Sequence, residues 1–149
     1  MSDPTIRAAK SADLPRILEL YRHPHPADPY PSPSDAETAW AALLGSAMTT
    51  ILVAEVAGIL ASSCMIAIIP NLTRGARSFG VIENVVTHPD YRRSGLGRSV
   101  LAAALEVAWA ADCYKVMLAT GSKRPETWRF YAGAGFEQGG KTYFEARCP

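Results

Sequence analysis

Two glycines and three arginines cluster within residues 92–98, in a pattern that suits phosphate binding. Gly95 and Gly97 lack a Cβ atom, so a diphosphate can approach the backbone closely. The side chains of Arg92, Arg93 and Arg98 add positive charge around it. A strand-like segment precedes this run and a helix-like segment follows it, so unpaired N–H groups and the helix dipole attract an anion. The run predicts a phosphate-binding turn; a plain tight turn with solvent-facing arginines is the alternative.

Two common nucleotide-binding motifs do not fit this turn. A P-loop requires a Gly-Lys-Ser/Thr ending, which the run lacks. A dinucleotide-binding fingerprint requires a third glycine where this chain has Val100. A nucleotide-binding module is therefore disfavoured.

The cysteines and histidines form no recognisable reactive or metal-binding motif. Cys64, Cys113 and Cys148 are odd in number, far apart and without the paired spacing of zinc ligands. We therefore expect buried or incidental thiols rather than a disulfide or a nucleophile. His23 and His25 alternate with prolines, but no further histidine, cysteine or acidic cluster is near them in sequence. We predict no metal site.

Length and charge disfavour several classes of protein. A chain of 149 residues suits one domain, 1–149. Its 15 Lys and Arg residues against 14 Asp and Glu residues leave a net charge of +1, too little for a nucleic-acid partner. The longest apolar stretch, 51–69, is interrupted by Glu55 and Gly58 and indicates two strands rather than a membrane span. Because the first residues carry no signal segment, we expect a cytoplasmic location and no membrane partner.

The turn needs strands and helices to position it, and the hydrophobic pattern predicts them. The first half predicts a strand over 5–8, a helix capped by Ser11 and reaching Tyr21, a proline-rich loop over 23–33, and a helix over 35–44 with a capping box from Ser34 to Glu37. The segments 50–56 and 59–69 flank Ala57-Gly58 and predict an antiparallel hairpin.

The second half contains the turn itself. It predicts a loop over 70–78, a buried strand over 79–87, a helix over 96–111, a strand over 115–119, a helix from Pro125 ending at Gly133 or Gly135, and strands over 136–138 and 142–147. This order predicts an α/β (α+β) fold, with a central mixed, mostly antiparallel sheet flanked by about four helices.

The turn and its surroundings resemble the signature of the GNAT superfamily of acetyltransferases. That signature is Gln/Arg-x-x-Gly-x-Gly/Ala after a strand and a His/Asp-Pro-x-Tyr stretch. Here it is His88-Pro89-Asp90-Tyr91-Arg92-Arg93-Ser94-Gly95-Leu96-Gly97. The segment Phe130-Tyr131-Ala132-Gly133-Ala134-Gly135-Phe136 is similar to the family's Tyr-x-x-x-Gly-Phe ending. The resemblance covers most of the chain and implies a GNAT-like domain that uses acetyl-coenzyme A (acetyl-CoA) as a co-substrate.

This resemblance also implies how acetyl-CoA is held. Backbone groups at the end of the strand over 79–87 would pair with the pantetheine arm, and the amides from Arg93 to Arg98 would hold the pyrophosphate. The implied cofactor-binding residues are Val85, Val86, Thr87, Arg92, Arg93, Ser94, Gly95, Leu96, Gly97, Arg98, Ser99 and Arg124. Many family members have asparagine where this chain has Arg124, which would either reach a cofactor phosphate or face solvent.

Tyr131 and Glu83 are the implied catalytic residues of a direct attack by a neutral amine, without an acyl-enzyme. Tyr131 would lie near the thioester sulfur. Because a thiol has a pKa of about 8.5 and tyrosine about 10, full proton transfer to the thiolate would cost about 2 kcal/mol, which favours a hydrogen-bond donor. The alternative for Tyr131 is a tyrosine that packs in the core. Glu83 would be a base or orient the acceptor; its alternative is a solvent-facing carboxylate.

A narrower resemblance concerns the acceptor. The segments Ile82-Glu83-Asn84-Val85-Val86 and Cys113-Tyr114-Lys115-Val116 are similar to parts of glucosamine-6-phosphate N-acetyltransferases. Those enzymes acetylate an amino-sugar phosphate and often form dimers in which C-terminal strands help to build the site.

The narrower resemblance implies a homodimer and a set of acceptor contacts. Glu83 and Asn84 would face a small-molecule amine, and its phosphate would meet Arg147, Arg74 or Arg77. Small amines, amino sugars, antibiotics and protein amines are all acceptors of this fold, so the sequence leaves the acceptor open. A non-catalytic CoA-binding sensor or interaction module is the alternative function.

Overall fold

Five strands form one mixed sheet in the computed structural model, which describes residues 2–149. The strands are β1 (Thr5–Ala8), β2 (Thr49–Val56), β3 (Ile59–Ile69), β4 (Phe79–Thr87) and β5 (Val116–Leu118). They lie side by side in sequence order; β1 to β4 are antiparallel neighbours, and β5 is parallel to β4. The predicted mixed, mostly antiparallel sheet is confirmed.

Four regular helices flank the sheet, as expected. The helical segments are α1 (Leu14–Tyr21), α2 (Pro33–Gly45), α3 (Thr73–Ala76), α4 (Leu96–Ala110) and α5 (Pro125–Gly133). The short α3 has left-handed φ angles at Arg74 and Gly75, so it is a turn inside the predicted loop 70–78 rather than a regular helix. Pro125 occupies the first turn of α5, where its missing N–H costs nothing.

The tight turn between β2 and β3 is the predicted hairpin turn. Ala57 has a φ of 49° and Gly58 a φ of 82°, so both central residues are left-handed. Two left-handed residues match the twist of a two-residue hairpin, which explains why an Ala-Gly pair joins these strands.

The sheet buries a hydrophobic cluster on each face, because neighbouring strand residues point to opposite sides. On one face Leu52 and Ala54 pack with α4 residues that include Val100 and Leu101. On the other face the β2 residues Ile51 and Val53 pack with α1 and α2, chiefly with Ile17 and Trp40. The first cluster, which also contains Ile82 of β4, holds α4 against the strand that precedes it and so positions the turn between them.

Both predicted helix caps are wrong by one or two positions. Ser32, not Ser34, caps α2, and its hydroxyl accepts from the Asp35 backbone N–H at 3.2 Å, which leaves Pro33 at the first helical position. At α1 a single 3-10 turn, Ser11–Asp13, precedes the helix. There the Asp13 carboxylate, rather than Ser11, accepts a backbone N–H, from Lys10 at 2.7 Å.

The predicted strands over 136–138 and 142–147 are also wrong. Residues 134–149, all of which are described, form no strand. Tyr143 and Phe144 are 67% and 87% exposed. A strand forms only beside a partner strand, and β-propensity expresses packing on a sheet rather than a backbone preference. The segment has the composition of a strand but no neighbouring strand in the described part of the chain.

Asp13 is the centre of a buried ionic network that connects β1, α1 and β2. Its side chain is 1% exposed and accepts from Arg7 at 2.7 and 3.0 Å and from Arg16 at 2.5 Å. Arg7 also pairs with Glu55 of β2 at 2.5 Å. The hydrogen bond from Arg7 is the largest cause that holds the pKa of the Asp13 carboxyl well below its usual range. The network is a determinant of stability that the sequence analysis did not identify.

Candidate active site

The strands β4 and β5 part halfway along β4 and leave a free strand edge. Only residues 80–82 of β4 pair with β5, through Val116–Leu118. Residues 83–87 continue to pair with β3 but have no strand partner on the other side among residues 2–149. Backbone N–H and C=O groups on that side are therefore available to an extended ligand, in the manner of an added strand.

A β-bulge in β4 lies at the point where the strands part. Ser63 pairs with Val86 and Met65 with Glu83, so two β4 residues, Asn84 and Val85, lie opposite Cys64 alone. Asn84 has a φ of 54°, in the left-handed region. As a result Glu83 and Asn84 are both exposed, whereas regular alternation would have buried one of them. The bulge brings both predicted acceptor-contacting side chains to the solvent side.

The turn before α4 presents a row of unpaired backbone donors. Within the described chain, none of the N–H groups from Arg93 to Arg98 donates a protein hydrogen bond; the first bond of α4 runs from Ser99 to the Gly95 carbonyl at 3.0 Å. No side chain caps the helix. Arg92 and Arg93 are exposed, and neither has a carboxylate partner among residues 2–149. Six free donors, a helix N-terminus and unpaired arginines suit a pyrophosphate.

The two glycines of the turn have different surroundings. Gly95 has a φ of 83°, and a Cβ placed there would have no neighbour within 4 Å. Gly97 is buried, and a Cβ there would lie 3.0 Å from Cζ of Phe130 and 3.1 Å from Oγ1 of Thr87. Gly97 therefore allows α4, α5 and β4 to pack closely, whereas Gly95 allows the left-handed turn.

Tyr131 lies on α5, close to the β4 bulge. It is half-buried and packs against Phe130 and Phe136, with ring centroids 5.0 and 6.3 Å away. Burial is the largest cause that raises the pKa of the Tyr131 phenol, and the negative charge of Glu83 adds to it. No hydrogen bond within residues 2–149 involves its hydroxyl, so the group is a free donor.

Cys64, on β3 beside the bulge, is not a nucleophile. Its thiol is fully buried and lies 3.5 Å from the Val100 carbonyl. Burial raises the pKa of this thiol to about 12, so it stays protonated at neutral pH. Cys64 is the buried, inert thiol expected from the sequence.

The structure separates the predicted phosphate-contacting arginines. Arg77 is bound to Asp112 at 3.2 Å, beyond the start of β4. It precedes Glu83 by six residues, about 20 Å of extended chain. Arg74 stacks over Tyr114 at the same end, 5.7 Å from the ring centroid. Both arginines lie away from the bulge, and neither is placed to meet an acceptor there.

Arg147 and Arg124 are both exposed. Arg147 pairs with Glu145 at 3.2 Å, next to Tyr143, whose hydroxyl donates to the same carboxylate at 2.9 Å. The hydrogen bond to Glu145 is the largest cause that raises the pKa of Tyr143, and the charge of Glu83 makes a smaller contribution. Arg124 lies at the start of α5 and is 3.7 Å from Glu126, a weak pair in solvent.

The sequence analysis missed one part of the site. The proline-rich loop places His25 and Asp28 beside Asn84, Val85 and Val86, around a cavity of about 180 Å³. The signal present in the sequence was the His-Pro-x-Asp spacing, which is typical of a tight turn with two polar ends.

Within residues 2–149, no three His, Cys, Asp or Glu side chains converge as metal ligands would. Among the same residues, no helix has both the length and the apolar character needed to cross a membrane.

Comparisons with known proteins agree with this geometry. A family model described as the acetyltransferase (GNAT) family matches residues 14–136. A glucosamine 6-phosphate N-acetyltransferase of Trypanosoma brucei brucei is 32% identical over 134 residues, which cover 90% of this chain and 89% of that protein. A solved structure from Agrobacterium tumefaciens str. C58, assigned as an acetyltransferase, is 44% identical with a TM-score of 0.91 and covers 97% of this chain and 99% of its own. A solved Trypanosoma brucei acetyltransferase is 28% identical with a TM-score of 0.81, over 97% of this chain and 100% of its own.

Proposed function

This chain belongs to the GNAT acetyltransferase family, and we propose that it transfers the acetyl group of acetyl-CoA to the amine of a small amino-sugar phosphate. Its reaction class, acetyl transfer to an amine, is that of a CoA-dependent N-acetyltransferase. The observation that carries the proposal is the continuity of the free edge of β4, residues 83–87, with the six unpaired amides before α4. The similarity to the trypanosomal glucosamine 6-phosphate enzyme supports the choice of acceptor.

The residues of the chain fit both ends of acetyl-CoA. We assign the backbone of Val85, Val86 and Thr87 to the pantetheine arm and the amides of 93–98 to the pyrophosphate. The Val86 carbonyl itself accepts from the Ser62 hydroxyl at 3.0 Å, so the free groups are those of its neighbours in the strand. The exposed side chains of Arg92, Arg93 and Arg98 add charge, while Leu96 and Ser99 fix the first turn of α4. Acetyl-CoA supplies the activated acetyl group as a thioester. Because Arg124 is solvent-exposed, we assign it at most an outer phosphate contact.

The proposed acid–base groups lie on opposite elements. Glu83, at the bulge of β4, holds the arriving ammonium group and accepts its proton directly or through water, so that the neutral amine can attack the acetyl carbon. Tyr131, on α5, donates a hydrogen bond to the sulfur as the carbon–sulfur bond breaks. Because the pKa of Tyr131 is raised, its proton stays on the phenol and the donor role is favoured over full transfer.

We propose that the chain works as a homodimer in the cytoplasm. Residues 142–147 have the composition of a strand and expose Tyr143 and Phe144, so a second copy would bury these rings and supply the missing partner strand. Arg147 belongs to the same segment and would then stand beside the acceptor phosphate. Sedimentation equilibrium tests the dimer, and a monomer at micromolar concentration contradicts it.

The proposed function is tested by an amine screen in which release of the CoA thiol is measured. We expect glucosamine 6-phosphate to have a lower KM than glucosamine, and Arg147→Ala to remove that difference. An absence of thiol release with every amine would leave the non-catalytic CoA-binding module as the function. Equal KM values for the two sugars would be consistent with an N-acetyltransferase but would show that it does not recognise the acceptor phosphate.

Gly95→Val is expected to weaken acetyl-CoA binding about 10-fold, because a β-branched residue resists the left-handed φ that the turn requires. Gly95→Asn is the matched control, since asparagine tolerates that conformation and should retain most of the affinity. Calorimetric titration with CoA measures both. If both variants bind as tightly as the wild type, the turn does not hold the pyrophosphate. A bulky residue at Gly97 is a poorer test, because it would displace Phe130.

Glu83→Gln is expected to lower kcat/KM for the best amine about 10-fold, since the amide cannot accept the proton while solvent water partly replaces it. Glu106→Gln, an exposed charge on α4, is the control and should leave the rate unchanged. Steady-state kinetics between pH 6 and about pH 9 measure the effect. Wild-type rates in Glu83→Gln across that range would mean that Glu83 is only a solvent-facing carboxylate with no role in the reaction.

A further inference from the structure

The cavity beside the bulge joins the proline-rich loop to the proposed active site. It has a volume of about 180 Å³ and is lined on one side by Val85 and Val86, whose backbone forms the free edge of β4. Asn84 lies at the bulge, and His25 and Asp28 approach from the loop. The cavity therefore opens next to the strand edge assigned to the pantetheine arm.

The loop places its two polar side chains by a tight turn. The His25 carbonyl accepts from the Asp28 N–H at 3.1 Å, and Pro26 occupies the second position of the turn, where its fixed φ is favourable. Such a turn brings the ends of a four-residue segment together. His25 and Asp28 are therefore close together on the loop.

The loop is also attached to the element that carries the phosphate-binding turn. The ring of His23 packs edge-on against His88, with centroids 4.5 Å apart, and His88 packs against Tyr91 at 5.6 Å. Nδ1 of His88 accepts from the Asp90 N–H at 3.1 Å, which fixes the His88 ring. These contacts hold the loop at a defined position over the cavity.

The charges around the cavity have the opposite sign from those at the turn. The carboxylate of Asp28 lines the cavity and Glu83 precedes its lining residue Asn84 on β4, whereas Arg92 and Arg93 stand near the amides before α4. A cationic group is therefore attracted to the cavity, and the anionic end of acetyl-CoA to the turn. The cavity volume equals that of roughly six water molecules, which suits one small ring rather than a folded polypeptide.

We propose that Asp28 and His25 are acceptor-binding residues that select a small cationic amine with neighbouring hydroxyl groups. This inference rests on the proposed function and names residues for its acceptor side. Asp28 binds the ammonium group first, by a charge-assisted hydrogen bond, before Glu83 receives it, and His25 hydrogen-bonds a hydroxyl on the same ring. The amine is then presented to Glu83 and to the strand edge. Neither residue takes part in bond breaking.

The test compares acceptor and cofactor constants in the full chain, with glucosamine as the acceptor and thiol release as the readout. We expect Asp28→Asn to raise the KM for glucosamine about 10-fold or more, with kcat and the KM for acetyl-CoA within about threefold of wild type. Asp28→Glu should recover much of the loss. The control, Glu37→Gln, removes an exposed carboxylate on α2 and should change nothing. His25→Ala should raise the KM for glucosamine but not the KM for cyclohexylamine, which has no hydroxyl groups.

A second measurement separates this inference from the proposed function. Calorimetric titration of glucosamine into CoA-saturated protein reports acceptor binding without turnover. If the wild type binds glucosamine and Asp28→Asn does not, while neither releases thiol, the acceptor site stands and the proposed function fails. Suppose instead that the wild type is active and Asp28→Asn either has an unchanged KM for glucosamine or loses affinity for glucosamine and acetyl-CoA equally. The proposed function then stands and the acceptor assignment is overturned.

Discussion

Tyr131→Phe is expected to lower kcat about 100-fold, within the range for loss of a donor to developing charge. The affinity for acetyl-CoA should change less than about threefold, because the lost hydrogen bond strengthens only as negative charge forms on sulfur. Single-turnover kinetics and CoA titration measure the two quantities. The loss should appear in the chemical step, since phenylalanine retains the packing of the ring against Phe130 and Phe136.

The physical basis of this expectation is the position and protonation of the phenol. Burial raises the pKa of Tyr131 above its ordinary value, so the donor form persists to higher pH than for a solvent-exposed tyrosine. The wild-type rate should therefore show no loss from tyrosine ionisation below about pH 10. The matched control is Tyr114→Phe, at the far end of β4, which should leave kcat unchanged. A wild-type kcat in Tyr131→Phe would mean that Tyr131 only packs in the core.

Asp13→Ala is expected to lower the free energy of unfolding by about 3 kcal/mol, because removal of one partner from a buried ionic network leaves the others without compensation. For a chain of this size the midpoint of thermal unfolding should fall by roughly 6–12 °C. The affected partners are Arg7, Arg16 and the N–H of Lys10. Urea unfolding followed by circular dichroism measures the change.

The pH dependence of this effect has a definite sign. The folded-state pKa of Asp13 is lowered from its ordinary value, about 3.9 in an unfolded chain, so its contribution to stability is fully present above about pH 4. It is lost as the pH falls through the lowered pKa, and the difference between wild type and Asp13→Ala should shrink with it. Asp13→Asn is the control that keeps the shape and removes the charge. If Asp13→Ala unfolds within 0.5 kcal/mol of wild type, about the scatter of neutral surface changes, the network is not a determinant of stability.

The framework of the active site was predictable because it depends on local spacing. The strand over 79–87, the turn with its glycines and the long helix after it follow one another in the chain, and each is specified by its own periodicity. The hairpin over 50–69 follows from two β-branched runs around Ala57-Gly58. For the same reason the family signature could be found in the sequence, since it occupies a single continuous segment.

Details at the ends of elements were less predictable. Ser32 and Ser34 both precede apolar residues that recur at helical spacing, and only the observed hydrogen bond to Asp35 identifies the cap. The residues 142–147 resemble a strand, yet a strand exists only when another edge is beside it. Strand propensity shows that a segment can form a strand, but a strand forms only if another strand edge lies beside it.

The sequence by itself determined the order of the regular elements as far as α5, the glycine-containing turn before α4 and the reaction class, because these depend on residues close together along the chain. Tertiary structure alone decided that Tyr131 packs against the cluster that contains Cys64, that Arg77 is bound to Asp112, and that Asp28 lies beside Asn84 of the bulge. It also decided that Gly97 serves the packing of Phe130. The physical reason is that these relations join residues far apart in sequence. Their distances depend on strand register, on the bulge opposite Cys64 and on the point where β5 leaves β4.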